Sequence, residues 1–446
     1  MTDWREIAIW QELERPERAA FLALAETIDP REASQVARLR RAADEGAPNR
    51  GDRNLRAPNL RDRNLRDRNI TDRRPAASID SAALASAALE LVEGRRRAAW
   101  KFGPEAAARL WCDVAGVEQA SGSTVARWKA RRMVEVLGAG APILDVCSGI
   151  GGDAMALAEA GLSVEAIDLD PRRAWMTARN ARCATRVTDA EAIDLAGVAL
   201  HADPARRDES AGRRSWNIDD HRPGRAWIER ALTLARAAAI KFSPGVDRAA
   251  FGALNRGLAW EWIAEEDRLV QAVAWSGAFA RDDGAAGRTR ATLLAAESHT
   301  IAGIPDDARD DRLRVAEAIV PGAFLSEPIA ALERAALLTE AAGAGDAAQE
   351  VARGLGLVVS DAPLAAPWFE SFELIDECAA REDAVHAALR RHALAARSVR
   401  VRGRAADADA FTRALSARPD GEAVVFLFRD GRRARALIAR ASIARA

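Results

Sequence analysis

The sequence predicts an α/β protein built on a mostly parallel, doubly wound sheet. Three observations carry this expectation. Short apolar runs alternate with helix-patterned stretches from residue 140 to residue 300. One such run, Ile143-Leu-Asp145, passes through Val146-Cys-Ser-Gly-Ile-Gly-Gly152, with glycines at 149, 151 and 152, into an alanine-rich helix. A further run, Val164-Glu-Ala-Ile-Asp168, follows that helix and again closes on an acid. Strand, glycine turn, helix, strand and acid in that order form the half-unit of a nucleotide-binding sheet.

Length and composition set the frame. At 446 residues the chain exceeds the roughly 250–300 residues that one core sustains, so more than one domain is expected. A formal net charge of −1 gives no whole-chain attraction to nucleic acid or membrane. Of 65 basic residues only Lys101, Lys129 and Lys241 are lysines. A position kept as lysine against that bias is one suited to a compact ammonium rather than a planar guanidinium. Cys112, Cys147, Cys183 and Cys378 show neither CxxC nor Cys/His spacing, so no metal site and no disulfide framework is expected. The first residues carry acids where a signal peptide needs a basic start. No window approaches the roughly 18 apolar residues of a membrane span, so the expected setting is soluble and cytoplasmic.

Taken in order, residues 1–48 read as a helical segment, with Ile7, Ile9, Leu13, Phe21, Leu22 and Leu24 among charges. Residues 49–77 carry a tandem Arg-Asp-Arg-Asn-Leu/Ile repeat, too poor in apolar side chains to offset ordering entropy, and read as a flexible linker. Helical spacing resumes over 78–139 and runs directly into the glycine loop. Within the sheet domain, 140–300, Pro171 opens a helix running to about Arg182, because proline is tolerated in a first turn. Arg186-Val-Thr188 is a short third strand before Asp189, and Val198 to Asp203 a fourth. A helix over 226–238 leads into the strand Ala239-Ile-Lys-Phe242. Trp260-Glu-Trp-Ile-Ala264, a helix-like Leu269 to Ser276 and Arg290 to Ala295 complete the set, the last two as an antiparallel edge. Residues 301–360 read as a charged connecting segment. Over 361–446 the order β-α-β-α-β-β, closing on a hairpin around Asp430-Gly431, predicts a small α+β domain.

The glycines at 149 and 151 let the backbone turn tightly and approach a ligand without a Cβ in the way. Asp145, four residues before the first glycine, is poorly placed for a pyrophosphate but suits the ammonium of an amino-acid tail. Asp168, at the end of the second strand, can accept from both hydroxyls of a ribose. Asp189, after the third strand, can contact an adenine amino group, a role open also to Asp194. This pattern resembles the class I S-adenosylmethionine-dependent methyltransferases, whose sheet is Rossmann-like. The resemblance implies S-adenosyl-L-methionine as cofactor, with Asp145, Gly149 and Gly151 at its methionine end, Asp168 at the ribose and Asp189 at the adenine.

Asp203-Pro-Ala-Arg-Arg207, after the fourth strand, is the candidate acceptor site. Base methyltransferases often place a D/N-P-P-aromatic turn here to hold an exocyclic amine. This chain lacks both the second proline and the aromatic. With no cysteine nearby to attack carbon, direct transfer to a nitrogen positioned by Asp203 is the open route, with Arg206 and Lys241 beside it. His201 reads as a core histidine, and Trp260 and Trp262 as sheet packing. Lys101-Phe-Gly103, Gly116 to Ser121, the glycine loop, Asp203 to Arg207, Lys241 to Gly245, Ser326-Glu-Pro328 and Ser360 to Pro363 occur in that order. Together they resemble bacterial class I methyltransferases with a C-terminal THUMP-like domain, over roughly residues 80–446. That resemblance implies RNA, tRNA or rRNA, as the partner, and Arg400 and Arg402 on one strand face can track phosphates. Two alternatives stay open: methylation of a small molecule or protein, and a non-catalytic RNA-binding protein that keeps the cofactor fold.

Overall fold

The computed structural model describes residues 4–45, 79–206, 218–281, 287–343, 347–403, 405–431 and 433–441, so the repeat of 49–77 lies outside the described residues. The chain divides into two compact units, Met1–Lys241 with Trp275–Asp283, and Phe242–Ala274 with Gly284–Ala446.

The first unit opens with helices α1 (Trp4–Leu13), α2 (Ala19–Glu26), α3 (Ala33–Glu45), α4 (Ser81–Phe102), α5 (Pro104–Ala107), α6 (Val114–Gln119) and α7 (Ser123–Leu137). Asp80 caps α4 by accepting from the Ala82 N–H, and Gly103, at φ 81°, ends it. The apolar stripes of these helices close on one core. Trp10, Leu13, Phe21 and Leu39 pack with Leu84, Ala88 and Leu91 of α4, and also with Ile150 and Trp175 of the sheet region. The regions 1–48 and 78–139, separate in the sequence reading, therefore share a core.

The sheet elements of this unit are β1 (Pro142–Val146), α8 (Gly152–Glu159), β2 (Ser163–Asp168), α9 (Pro171–Ala181), β3 (Ala184–Val187), β4 (Ala199–Ala202), β5 (Ala205–Arg206), β6 (His221–Arg222), α10 (Arg225–Leu234) and β7 (Ala237–Phe242). The strand order is β7-β4-β1-β2-β3, and every neighbouring pair is parallel. β5 and β6 form a separate two-residue antiparallel ladder.

In the second unit β8 (Ala259–Glu265) adjoins β9 (Arg268–Gly277) and pairs in parallel with β10 (Thr289–Leu294), which pairs antiparallel with β11 (Ser298–Gly303). Two expectations are corrected here. Leu269 to Ser276 is strand, not helix-like, because β9 is buried without interruption from Gln271 to Ser276 and so shows no alternation to read. The antiparallel edge is β11, a polar strand that straddles the end of the sheet domain and the start of the stretch read as a connecting segment. The short helix α11 (Ala278–Arg281), between β9 and β10, belongs to the first unit; after β11 the second unit continues with β12 (Phe324–Pro328), α12 (Ala330–Ala335), α13 (Leu338–Ala342), β13 (Ala348–Glu350), β14 (Val358–Ser360), β15 (Phe369–Ala379), α14 (Glu382–Arg391), β16 (Ala396–Val401), α15 (Ala408–Ala414), β17 (Ala423–Asp430) and β18 (Arg433–Ala441).

The last six of these elements follow the expected β-α-β-α-β-β order. Their sheet, β13-β14-β12-β15-β18-β17-β16, also takes three strands from the stretch read as a connecting segment. Alternate residues of β17 feed two cores, Val424, Phe426 and Phe428 on one face and Ala423, Val425 and Leu427 on the other. Among the described residues no helix is long and apolar enough to cross a membrane, and no His, Cys, Asp and Glu cluster could hold a metal ion.

Gly277, which ends β9, has φ 60°, and a Cβ there would overlap the Arg236 carbonyl, which accepts from the Ala278 N–H at 2.8 Å. Gly277→Ala combines a left-handed alanine with a backbone clash and should cost about 2–4 kcal/mol in urea unfolding. An unchanged midpoint would show that this turn is not fixed as described.

Candidate active site

Five parallel neighbours bring their C-terminal ends to one edge of the sheet, and that edge collects the candidate residues. Asp145 is the penultimate residue of β1, Asp168 the last of β2, and Asp189 follows β3. Asp203 follows β4 directly, and Lys241 is the penultimate residue of β7. In the register of the ladders, Asp145 stands opposite His201 and Ala202 opposite Ile240, which sets Asp203 beside Lys241.

The loop from β1 to α8 turns through three left-handed residues, Cys147, Gly149 and Gly151, at φ 60°, 59° and 85°. A Cβ on Gly149 would meet nothing within 4 Å, so the space over that residue is open, whereas one on Gly151 would press on Thr177 at 3.1 Å. The Asp168 carboxylate accepts from the Gly149 N–H through Oδ2 and from the Asp170 N–H through Oδ1, both at 2.9 Å. Burial raises its carboxyl to about 6, against the pull of those two backbone donors. Thr177 donates to the Gly149 carbonyl at 2.9 Å, and Asn180 donates to the carbonyls of Ile150 and Trp111 at 2.8 Å each.

Asp145 is 1% exposed. Its Oδ1 lies 2.7 Å from His201 Nδ1, while its Oδ2 is buried without a hydrogen-bond partner. Burial raises this carboxyl as well, with the His201 hydrogen bond opposing. Asp189 is exposed and uses one oxygen to cap the following turn at the Glu191 N–H. Asp194 accepts from the Ala196 N–H in a surface turn.

Asp203 and Lys241 meet as an ion pair, Nζ to Oδ2 at 2.6 Å, and Lys241 also lies 3.4 Å from the Gln119 carbonyl. Arg206 sits in β5, and its side chain lies outside the described residues. The stretch from Asp113 to Ser121 borders the same loop. Asp113, buried, caps α6 at the Gly116 N–H and pairs with Arg172 and Arg173 of α9 at 3.1 and 2.5 Å. A Cβ on Gly152 would meet the Ser121 carbonyl at 3.3 Å. Lys101 places its ammonium on the carbonyls of Val117, Glu118 and Ala120 at 2.7–2.9 Å, which caps the end of α6.

No thiol here is a ready nucleophile. Burial raises Cys147 well above its ordinary value, Cys183 and Cys378 to about 11, and Cys112 to about 12. The phosphate track expected from Arg400 and Arg402 is overturned. Arg400 pairs with Glu370 at 2.9 Å and with Glu327, and its guanidinium stacks over Phe372 at 4.9 Å. Arg402 pairs with Glu327 at 2.7 Å and Glu333 at 2.9 Å. The sequence reading missed Asp113, Thr177 and Asn180. Each acts on a partner dozens of positions away; the available signals were polar residues among the apolar positions of α9 for Thr177 and Asn180, and an acid at a helix start for Asp113.

A family model described as RNA cap guanine-N2 methyltransferase matches residues 140–191. Two uncharacterized S-adenosylmethionine-dependent methyltransferases of Mycobacterium tuberculosis, from strains CDC 1551 and H37Rv, are each 28% identical over 347 residues, 76% of this chain and 90% of theirs. The crystal structure of a candidate methyltransferase from Porphyromonas gingivalis W83 shares the fold, with a TM-score of 0.63 at 16% identity over 92% of this chain and 99% of that one.

The raised Asp168 carboxyl makes a stability prediction. A folded value of about 6, above the ordinary one, means that the folded chain takes up this proton before the unfolded chain does. Ionised Asp168 therefore costs stability above pH 6, and that cost is relieved as the pH falls toward 4. The unfolding free energy of the parent relative to Asp168→Ala should shift in the parent's favour by on the order of 1–2 kcal/mol between pH 7 and pH 4.5. A difference independent of pH in urea titrations would contradict it.

Proposed function

We propose that this chain, as an S-adenosylmethionine-dependent methyltransferase, methylates a base nitrogen of RNA, tRNA or rRNA. The observation that carries the acceptor assignment is the Asp203–Lys241 pair, set where the ends of β4 and β7 adjoin. The loop fits the cofactor on three grounds. Open space lies over Gly149, Asp168 offers a carboxylate already oriented by two backbone N–H groups, and the buried Asp145 Oδ2 is an acceptor awaiting a donor. Asp168 would take the ribose hydroxyls, Asp145 the α-ammonium, Gly149 and Gly151 the close approach of the methionine end, and Asp189 the adenine edge. When bound, the cofactor supplies an electrophilic methyl group on a sulfonium.

The remaining work belongs to the chain. Lys241 fixes one oxygen of Asp203 and so the plane of its carboxylate. Asp203 then accepts a hydrogen bond from the base amine, points the nitrogen lone pair along the line of displacement, and takes the proton that the nitrogen loses once the N–C bond has formed. Positioning of this kind needs no thiol nucleophile, in keeping with four thiols raised by burial. The family model that matches residues 140–191 supports an RNA acceptor. The THUMP-like part of the resemblance, residues 361–446 with β15 to β18, would bind the RNA, and Arg206, three residues after Asp203 in the chain, is assigned to the acceptor turn.

Two substitutions separate the roles. Asp168→Ala should weaken cofactor binding by about 1–3 kcal/mol in calorimetry, the loss expected for hydrogen bonds to a charged group. Asp203→Ala should abolish methyl transfer while leaving cofactor affinity near that of the parent; retained turnover would remove Asp203 from the mechanism. The acceptor itself is tested by mass spectrometry of nucleosides in RNA from a deletion strain and its parent. Loss of one N-methylated nucleoside is expected, and identical nucleoside profiles would count against an RNA acceptor.

A further inference from the structure

A line of buried polar side chains runs from the lysine of α7 to Asp145, and chemistry fixes its direction. Lys129 is 1% exposed, and an ammonium can only donate. Its Nζ lies 2.7 Å from Asp153 Oδ1 and 3.1 Å from His201 Nε2. With an ammonium on Nε2, that ring nitrogen is the acceptor, so the ring proton sits on Nδ1 and is donated to Asp145 Oδ1. Asp153 Oδ2 accepts from the Ser121 hydroxyl at 2.8 Å. The line ends on Asp145 with Oδ1 engaged and Oδ2 buried and open.

The charges along this line do not cancel. Burial pushes the Asp153 carboxyl up, but the Lys129 ammonium together with His201 and Lys241 overcomes it, and the group ends well below the usual carboxylate range. Lys129 and Asp153 thus neutralise each other. Asp145 faces His201, Asp153, Lys129 and the half-buried cysteines Cys147 and Cys183, and has no ammonium or guanidinium in ion-pair contact among the described residues. A buried carboxylate with an open acceptor and no counter-ion is completed by a cationic donor.

We propose that Lys129, acting through His201, is a positioning residue for the aminoacyl end of the cofactor: the line Lys129–His201–Asp145 holds the carboxylate so that its open oxygen receives the α-ammonium. The inference rests on the cofactor reading above. Without the ammonium at 129, His201 is free to carry its proton on Nε2, which turns a lone pair toward Asp145 Oδ1 and repels it. A guanidinium cannot replace the ammonium, because its planar fork does not offer point donors to a carboxylate and a ring nitrogen in so closed a site.

The test compares two ligands on the full chain by calorimetry. S-adenosylhomocysteine carries the α-ammonium, and 5′-methylthioadenosine lacks the amino-acid tail. Lys129→Met alone strands the Asp153 charge in the interior and is at risk of not folding, so the working variant is the double Lys129→Met/Asp153→Asn. His201→Phe, which keeps the Lys129–Asp153 pair, is the second variant. Each should bind S-adenosylhomocysteine about tenfold more weakly and 5′-methylthioadenosine within about twofold of the parent. Equal losses for both ligands would reduce the line to a purely structural role, and no loss for either would remove it. Asp168→Ala, which should weaken both ligands, is the control. If the parent binds neither ligand, the cofactor reading fails and this proposal with it. If the parent binds both and Asp168→Ala weakens both while the line variants match the parent, the proposal alone fails.

Discussion

Left-handed backbone at Cys147, Gly149 and Gly151 is the constraint on which the first unit depends. Glycine adopts it freely, but an L-residue such as Cys147 costs about 1–2 kcal/mol there, and such a turn persists only where its surroundings over-determine it. They do so from several sides. The Ser148 N–H donates to the Ile167 carbonyl at 3.1 Å, Asp168 holds the Gly149 N–H, Thr177 holds the Gly149 carbonyl, and Asn180 ties Ile150 to Trp111. Gly116 closes the outer side, since any Cβ there would overlap Ile150 and Arg173. The helical layer is therefore a wall of the loop rather than an appendage, and Ile150 and Trp175 share its core.

The three lysines have a common destination. Lys101 caps the carbonyls of residues 117, 118 and 120, Lys241 approaches the carbonyl of 119, and Lys129 binds Asp153, which holds the Ser121 hydroxyl. Each ammonium serves two or three acceptors, three at the end of one helix for Lys101 and two from different elements for Lys129 and Lys241, a geometry that suits a compact rotatable donor better than a flat fork. One five-residue stretch at the edge of the loop is thus pinned by every lysine in an arginine-based chain.

Much of this was legible in the sequence for physical reasons. Half-buried elements show their period, so β15, α14, β16 and α15 were readable; β17, buried on both faces, was read instead from its continuous apolar run closing on the Asp430-Gly431 turn, and β1 to β4 from their strand-and-acid rhythm. Leu269 to Ser276 was not, because a strand buried on both faces carries no alternation. Arg400 and Arg402 shared a strand face as expected, yet their role was hidden, since Glu327, Glu333 and Glu370 lie 30–75 positions away in sequence. His201 was rightly placed in the interior, but that it joins Asp145 to Lys129 depends on a ladder register that spacing cannot give.

The two units treat buried charge in opposite ways, and the contrast bears on function. In the second unit, Arg400 and Arg402 meet three glutamates, and desolvated guanidiniums gain enough from them to hold their protons more tightly than usual. Such a cluster is closed: each of the two guanidiniums and three carboxylates touches a group of opposite sign, and it fixes β16 against β12 and β15 without asking for a ligand. In the first unit Lys129 and Asp153 close on each other, but Asp145 is left with one oxygen bare and its carboxyl raised by burial. A fold selected for stability alone would replace such a group with an apolar one, since an uncompensated buried carboxylate is among the costliest residues to keep. Its place at the end of β1, beside a loop whose open side is Gly149, is the observation on which the proposed role of Asp145 rests.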